Sequence, residues 1–356
     1  MSETRRRARP ASLGELPAPP AGRKGWPWTV GSESLSDCLP DGRPWPRFTV
    51  VTPTLNQAEY LEETLRSVLL QGYPDLEYIV VDGGSTDRTL EIIERYSPWL
   101  DRWVSEPDRG QSDAINKGFR MSTGRLRAWL NSDDSYYPGV LGRVGQCLRP
   151  GGPDIVFGAM DKVTLMPDAS EAIVTSLPTQ GEPMHMFPIL PGDEGSRFHF
   201  FQPAMFWTDD IWSAAGELDE RYHYVMDLEW CNRALAKGAR VETMEEPLAR
   251  FTLHPGSKSQ EYEYRFARER VRMYLELARR PHFRTAGCLL SVLKPMQRLS
   301  THGYERCRRE GRILAAAPWR VAALSIKGLR RLPGLGGAPH LQGSASASPR
   351  DGKDLG

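Results

Sequence analysis

The residues best equipped for chemistry stand at the end of the stretch Leu126 to Asp134, a short apolar run that stops abruptly in Asn131, Ser132, Asp133 and Asp134. Such a profile predicts a buried strand that delivers Asp133 and Asp134 to the edge of a sheet, where open α/β sheets bind their ligands. Adjacent carboxylates repel each other unless a cation sits with them. A hard divalent metal, Mg2+ or Mn2+, held by one or two carboxylates plus phosphate oxygens, suits such a pair. The same residue types also build plain turns and helix caps. A second polar turn, Asp82 to Asp87, follows another apolar run. Its Gly83-Gly84 pair lets backbone approach a ligand closely, and a carboxylate at a strand end can accept an N–H from a base or a hydroxyl from a ribose. An Asx-turn capping the next helix is the alternative there.

These turns need strands to carry them. Phe48 to Thr54 is β-branched and compact, with Pro53 near its end, and predicts the first buried strand. Asn56 and Glu59 are spaced as a capping box, and Leu61, Leu65, Val68 and Leu69 then recur at helical spacing. Further strands are expected over Leu76 to Val81, Trp103 to Ser105 and Leu126 to Leu130, with helices between them, the last over Gln111 to Ser122. This alternation predicts an α/β fold with a mostly parallel central sheet covered by helices on both faces. Beyond the acidic turn, a helix over Pro138 to Leu148 and a strand over Asp154 to Met160 are expected. Asp161 to Phe198 is broken by prolines and predicts an irregular surface excursion, the kind of loop that sets specificity. Pattern returns at Phe200 to Trp207, then as a short helix to Gly216, a helix over Asp227 to Lys237, a strand over Leu248 to Leu253 and a charged helix over Glu261 to Arg280.

Composition narrows the partners. The 356 residues carry 46 Lys and Arg against 45 Asp and Glu, a net charge of +1, so bulk charge implies no nucleic acid. The five cysteines show no paired spacing, which argues for a reducing compartment and against a zinc site. No apolar segment reaches the roughly 20 residues of a membrane span, so a cytoplasmic protein is expected. Residues 1–46 read as a disordered Pro/Arg-rich tail or an arm lying on the domain, 47–259 as the catalytic domain, 260–332 as a basic helical extension and 333–356 as a disordered Gly/Ser-rich tail. Within the extension, 283–332 is basic and apolar; it either makes peripheral contact with an anionic membrane, the inner face of the cell membrane, or packs on the domain or a partner. No Gly-x-Gly-x-x-Gly follows a strand and no Walker sequence occurs, which disfavours dinucleotide and P-loop sites.

Taken together, Phe48 to Asn56, Val81 to Asp87, Asp108-Arg109-Gly110, Asn116-Lys117-Gly118 and Thr123-Gly124 before Trp129 to Asp134 resemble the family-2 inverting glycosyltransferases, in the family's own order. The resemblance runs from about Phe48 to Ser259 and implies a single GT-A type sandwich that binds a nucleotide sugar, followed by the helical C-terminal extension. It implies that Thr52, Pro53, Asn56 and Glu59 surround the nucleotide, that Asp82 with Gly83 and Ser85 reads the base, usually uracil, and that Asp113 and Lys117 line the donor site. Asn131, Ser132, Asp133 and Asp134 match the metal-binding acidic motif, with Asn131 in place of its first acid. His254 resembles a further residue that reaches metal or diphosphate, and a lone His is as often structural. Gln202, Trp230 and Arg233 fall on the acceptor side. Asp227 matches the catalytic base, although its preceding acid is Met226 here; a helix N-cap is the alternative for Asp227.

The implied activity is metal-dependent transfer of a single sugar from a nucleotide sugar, UDP-linked, to a glycan or lipid-linked acceptor in cell-surface polysaccharide or glycolipid biosynthesis. The Gln-x-x-Arg-Trp sequence of processive synthases does not occur. A nucleotidyltransferase would also use an acidic metal site on an α/β sheet, and a sheet that has lost activity while the basic region binds membrane or nucleic acid is the non-enzymatic alternative.

Overall fold

The structure, a computed structural model, describes residues 10–165, 171–177, 200–254 and 263–278. Strands β1 (Phe48–Thr54) and β2 (Leu76–Asp82) are buried at every position, as their unbroken runs of apolar and β-branched residues require. Successive side chains point to opposite faces. Val50, Tyr78 and Val80 therefore enter one core cluster, while Val51, Ile79 and Val81 enter a second on the other face. Helices α1 (Leu61–Leu69) and α2 (Thr89–Tyr96) cover the first face, and α3 (Gln111–Met121) the second.

With β3 (Arg102–Ser105) and β4 (Leu126–Trp129), the sheet is parallel in the order β3-β2-β1-β4. It continues through β8 (Met205–Thr208), β6 (Ile155–Leu165), β9 (Val241–Leu253) and β5 (Asp134–Tyr136), with β7 (Glu171–Leu177) paired to β6. Beyond β4 the pairing is mixed: β8 is antiparallel to both β4 and β6, and β9 is parallel to β6. Helices α4 (Val140–Cys147), α5 (Asp209–Ala215), α6 (Met226–Ala236) and α7 (Glu263–Ala278) complete the described elements. Register matters for the site. Thr54 pairs with Asp82 and Val51 with Trp129, so the carboxyl ends of β1, β2 and β4 reach one edge together.

Several sequence expectations are corrected. Residues 10–46, for which a disordered tail or an arm lying on the domain was expected, form the arm, ordered and packed on the domain with Leu16, Trp28 and Trp45 buried. The arm is fastened by Arg66 of α1, which is fully buried and donates to the carbonyls of Pro17 (2.8 Å), Pro27 (3.0 Å) and Trp28 (2.9 Å). Trp26 adds a bond from Nε1 to the Tyr136 carbonyl (2.7 Å). Prolines excluded helix and strand here, but they did not exclude order, because buried tryptophans and a cation supply what regular hydrogen bonds do not.

The expected Asn56–Glu59 capping box does not form. Asn56 has a left-handed backbone (φ 52°), which Asn tolerates better than most residues, and α1 starts later, after Tyr60, without a side-chain cap. Part of the expected irregular excursion is strand: β6 runs on to Leu165 and pairs antiparallel with β7. Helix α7, placed by the sequence in a separate extension, buries Met273 in the second core cluster. The basic region 283–332 and the tail 333–356 lie outside the described residues. Among the described residues no helix is long and apolar enough to cross a membrane.

Replacing Arg66 by Met should strand the buried carbonyls of Pro27 and Trp28 and the partly buried one of Pro17. Each buried orphan costs about 1–3 kcal/mol, so the urea midpoint should fall by the equivalent of about 2 kcal/mol or more, with the slope unchanged.

Candidate active site

The turns that follow β1 and β2 are stitched to each other. Asn56 N donates to Ser85 Oγ (2.7 Å), Thr86 N donates to Asn56 Oδ1 (2.8 Å), and Ala58 N donates to Asp87 Oδ2 (3.1 Å). Asp82 is fully buried and its carboxylate is turned back into its own turn, accepting from Ser85 N and Oγ, from Gly84 N (3.3 Å) and from Ser105 Oγ (2.6 Å). Gly83 leaves no room for a side chain because the Asp108 carboxylate occupies the place of its Cβ. The close approach expected of this glycine is thus made by a neighbouring acid of the same protein.

A cleft of about 630 Å³ opens at this sheet edge, within the ~300–1,000 Å³ usual for ligand sites. It is lined by Pro53, Ser132, Asp133, Gln202 and Asp227, all anticipated from the sequence, together with Thr54, Gln57, Asp108, Gln111 and Lys162, which were not. Among the described residues, Asp108, Asp133 and Asp227 are its carboxylates and Lys162 is its ammonium. Among the described residues the buried Thr54 hydroxyl has no hydrogen-bond partner, which suits a group that meets a ligand.

Asp133 and Asp134 divide their roles. Asp133 faces the cleft, and its Oδ2 lies 3.0 Å from His254 Nε2, with Tyr60 stacked on the imidazole at 4.3 Å. Asp134 is buried in β5 and accepts from Thr252 N (3.3 Å) and Asn131 Nδ2 (3.2 Å). Burial first, and then the neighbouring Asp133 carboxylate, push the Asp134 carboxyl well above the usual range. Asn131 is the centre of an amide network: its Nδ2 also meets Gln202 Oε1 (3.1 Å), its Oδ1 accepts from Gln111 Nε2 (2.7 Å), and Gln202 Nε2 donates to the Trp129 carbonyl (2.9 Å). An acid at 131 would set its charge against Asp134 and Gln202 Oε1, which explains why an amide can stand where the family motif has a carboxylate.

Asp227 lies in the first turn of α6, whose N-cap is Val225, so it is not the cap. Its Oδ1 accepts from Leu228 N (2.7 Å), and burial raises its carboxyl, opposed by that bond and by the Arg270 charge.

Other anticipated residues stand elsewhere. Thr52 is buried, with its hydroxyl 3.0 Å from Tyr78 OH, and Glu59 is exposed; neither lines the cleft. Asp113 is held by Arg109, which takes its carboxyl down to about 2, and Lys117 pairs with Glu106 (2.9 Å). Trp230 and Arg233, expected on the acceptor side, are structural. Trp230 is fully buried among Trp207 and Trp212 and donates from Nε1 to the Gly216 carbonyl (3.0 Å). Arg233 pairs with Glu229 (2.9 Å) and donates to the carbonyls of Ala215, Gly216 and Glu217 at the end of α5.

Comparison with known proteins fits this arrangement. Residues 49–206 match the family model described as Glycosyl transferase family 2. Over those residues the chain is similar to that family. A PGL/p-HBAD biosynthesis glycosyltransferase of Mycobacterium bovis is 39% identical over 118 residues, covering 32% of this chain and 46% of that protein. An uncharacterized glycosyltransferase of Nostoc sp. is 30% identical over 138 residues, 38% of this chain and 42% of that one. The chain thus spans less than half the length of these curated relatives. Among solved structures, S. aureus TarS 1-349 in complex with UDP-GlcNAc superposes with a TM-score of 0.53 at 16% identity, covering 79% of this chain and 92% of the other. The mannosyltransferase PcManGT from Pyrobaculum calidifontis, in complex with GDP-Man and Mn2+, gives 0.52 at 20% identity, with coverages of 83% and 88%. At such identities the likeness is one of fold, and the fold is GT-A.

Of the lining residues that the sequence did not single out, Asp108 sits in the Asp108-Arg109-Gly110 stretch that carries the resemblance and Gln111 directly follows it; their position at that motif was the available signal. The amide network predicts the effect of restoring the family acid: Asn131→Asp should lower stability by about 1–3 kcal/mol, read as a lower thermal midpoint at pH 7.

Proposed function

We propose that the protein transfers a single sugar from a nucleoside-diphosphate sugar, UDP-linked, to a glycan or lipid-linked acceptor, with inversion at the anomeric carbon. The observation that carries this reading is the sharing of one cleft by Asp133, with His254 against it, and by Asp227. A diphosphate brings more negative charge into a cleft already holding three carboxylates and one lysine ammonium, so the donor needs a cation with it.

Asp133 and His254 would hold that cation, Mg2+ or Mn2+. Among the described residues no group of three metal-binding side chains converges, so donor phosphate oxygens and water would complete the shell. When bound, the metal neutralises the charge that develops on the departing nucleoside diphosphate. Asp134, behind Asp133 and bonded to Thr252 N, fixes the end of β5 against β9, next to His254. Asp227 accepts the acceptor hydroxyl's proton as the new bond forms, because a hydroxyl does not ionise near neutral pH. Displacement in one step turns an α-linked donor into a β-linked product with no covalent sugar intermediate.

The acceptor is expected to carry an apolar or aromatic group beside its hydroxyl. Asp227 shares the cleft with Met160, Phe201, Met226, Phe251 and Phe266, and such surface favours an apolar aglycone over a bare sugar chain.

Panels of UDP- and GDP-sugars with Mg2+ or Mn2+ test the reading, scored by release of the nucleoside diphosphate with and without aryl or alkyl glycoside acceptors. Asp227→Asn should keep donor binding and lose at least ~10²-fold in transfer; unchanged turnover would remove Asp227 from the base role. Asp133→Ala should lose metal-dependent donor binding as well, read by calorimetry with and without the metal. Burial raises the Asp227 carboxyl, and only its ionised form can take the proton. Transfer should therefore fall as pH is lowered, with its acid limb above the ~4 of an ordinary carboxylate. A kcat/KM profile flat down to that value would contradict the assignment.

A further inference from the structure

Asp227 is carried by a helix that begins poorly anchored. No side chain caps the N-terminus of α6, and the segment before it, Asp219 to Val225, has no regular secondary structure. That segment is bonded instead to α7, which the sequence had set apart from the catalytic domain. The Glu269 carboxylate accepts from two successive backbone amides, His223 N (3.0 Å) and Tyr224 N (2.7 Å). One turn earlier on α7, Phe266 packs against Tyr224 at 5.1 Å and Arg265 Nη1 donates to Tyr224 OH (3.0 Å). Further along, Glu276 accepts from Tyr222 OH (3.0 Å). On the far side His223 lies against Gly110, where an added Cβ would meet the imidazole at 3.3 Å and where φ of 122° favours glycine. The residues leading into α6 are thus clamped between α7 and the start of α3.

We propose that Glu269 is a positioning residue for Asp227: by holding the amides of His223 and Tyr224, it fixes the entry of α6 and with it the distance from the Asp227 carboxylate to the acceptor hydroxyl. This rests on the reading of Asp227 as the base. Hydrogen bonds from backbone N–H to a carboxylate are about twice as strong as neutral ones. Both sit within a few residues of Asp227, so their loss acts on its placement and leaves the donor side, built on β1, β2 and β4, as it was. Proton transfer needs heavy atoms ~2.6–3.2 Å apart, and a displacement of ~1 Å can cost ~10²-fold in rate.

The test compares Glu269→Met and Glu269→Gln in the full chain. Gln keeps an oxygen able to accept from both amides; Met keeps the length and loses the acceptor. Glu269→Met should lower kcat for transfer ~10–100-fold while the donor KM and the thermal midpoint stay near those of the parent, and Glu269→Gln should recover most of kcat. Hydrogen exchange at His223 and Tyr224 should quicken in the Met variant alone, with β1 and β2 amides unchanged. Equal kcat in parent and Met variant, or unaltered exchange at those amides, overturns the proposal. A parent enzyme that transfers no sugar with any donor sinks the base assignment and the proposal with it, a result distinct from an active parent whose Met variant is equally active.

Discussion

Strands buried on both faces must answer internally every polar side chain they carry or release it at an end, and this constraint organises the molecule. β1 and β2 have no exposed position, and parallel pairing puts Thr54 beside Asp82 and Val51 beside Trp129. Thr49 answers Glu77 and Thr52 answers Tyr78 within the sheet, while the chain that follows each strand turns at the shared edge. Asp108 and Asp133 reach the cleft from the turns beyond β3 and β4.

That logic made the strands and their polar end-turns legible in the sequence. The apolar runs ending in Asp82 and in Asp133-Asp134 announced both strands and turns, and the alternation of periods announced the α/β architecture. What the sequence could not convey was which way each side chain turns. Asp82 and Asp113 look like ligand-binding acids, yet one is satisfied by Ser85 and Ser105 and the other by Arg109. Trp230 and Arg233 stand near Asp227 along the chain, but helical spacing turns them inward, to the tryptophan cluster and to the last carbonyls of α5. Local pattern identifies an element; only tertiary contacts decide the fate of its polar residues.

The departures from the family pattern have physical counterparts. Asn131 in place of an acid serves the amide network joining Gln111, Gln202 and Asp134, so charge at this end of the cleft is concentrated on Asp133, with His254 against it. The loss of the acid before Asp227 leaves Met226 among the cleft-lining apolar residues. The part of the cleft around Asp227 thus differs in kind from the part around Asp133: it is built by distant segments, β6, the residues around Phe201, α6 and α7, and no contiguous stretch of sequence spells it out.

The clasp on the arm reaches beyond stability. Because Arg66 is buried and its guanidinium ends on the carbonyls of Pro17, Pro27 and Trp28, a recombinant fragment begun at Phe48, where the family match and the first strand would invite a cut, would expose an apolar groove with an unanswered cation at its floor. Fragments meant for crystallisation or binding work should start upstream of Pro17.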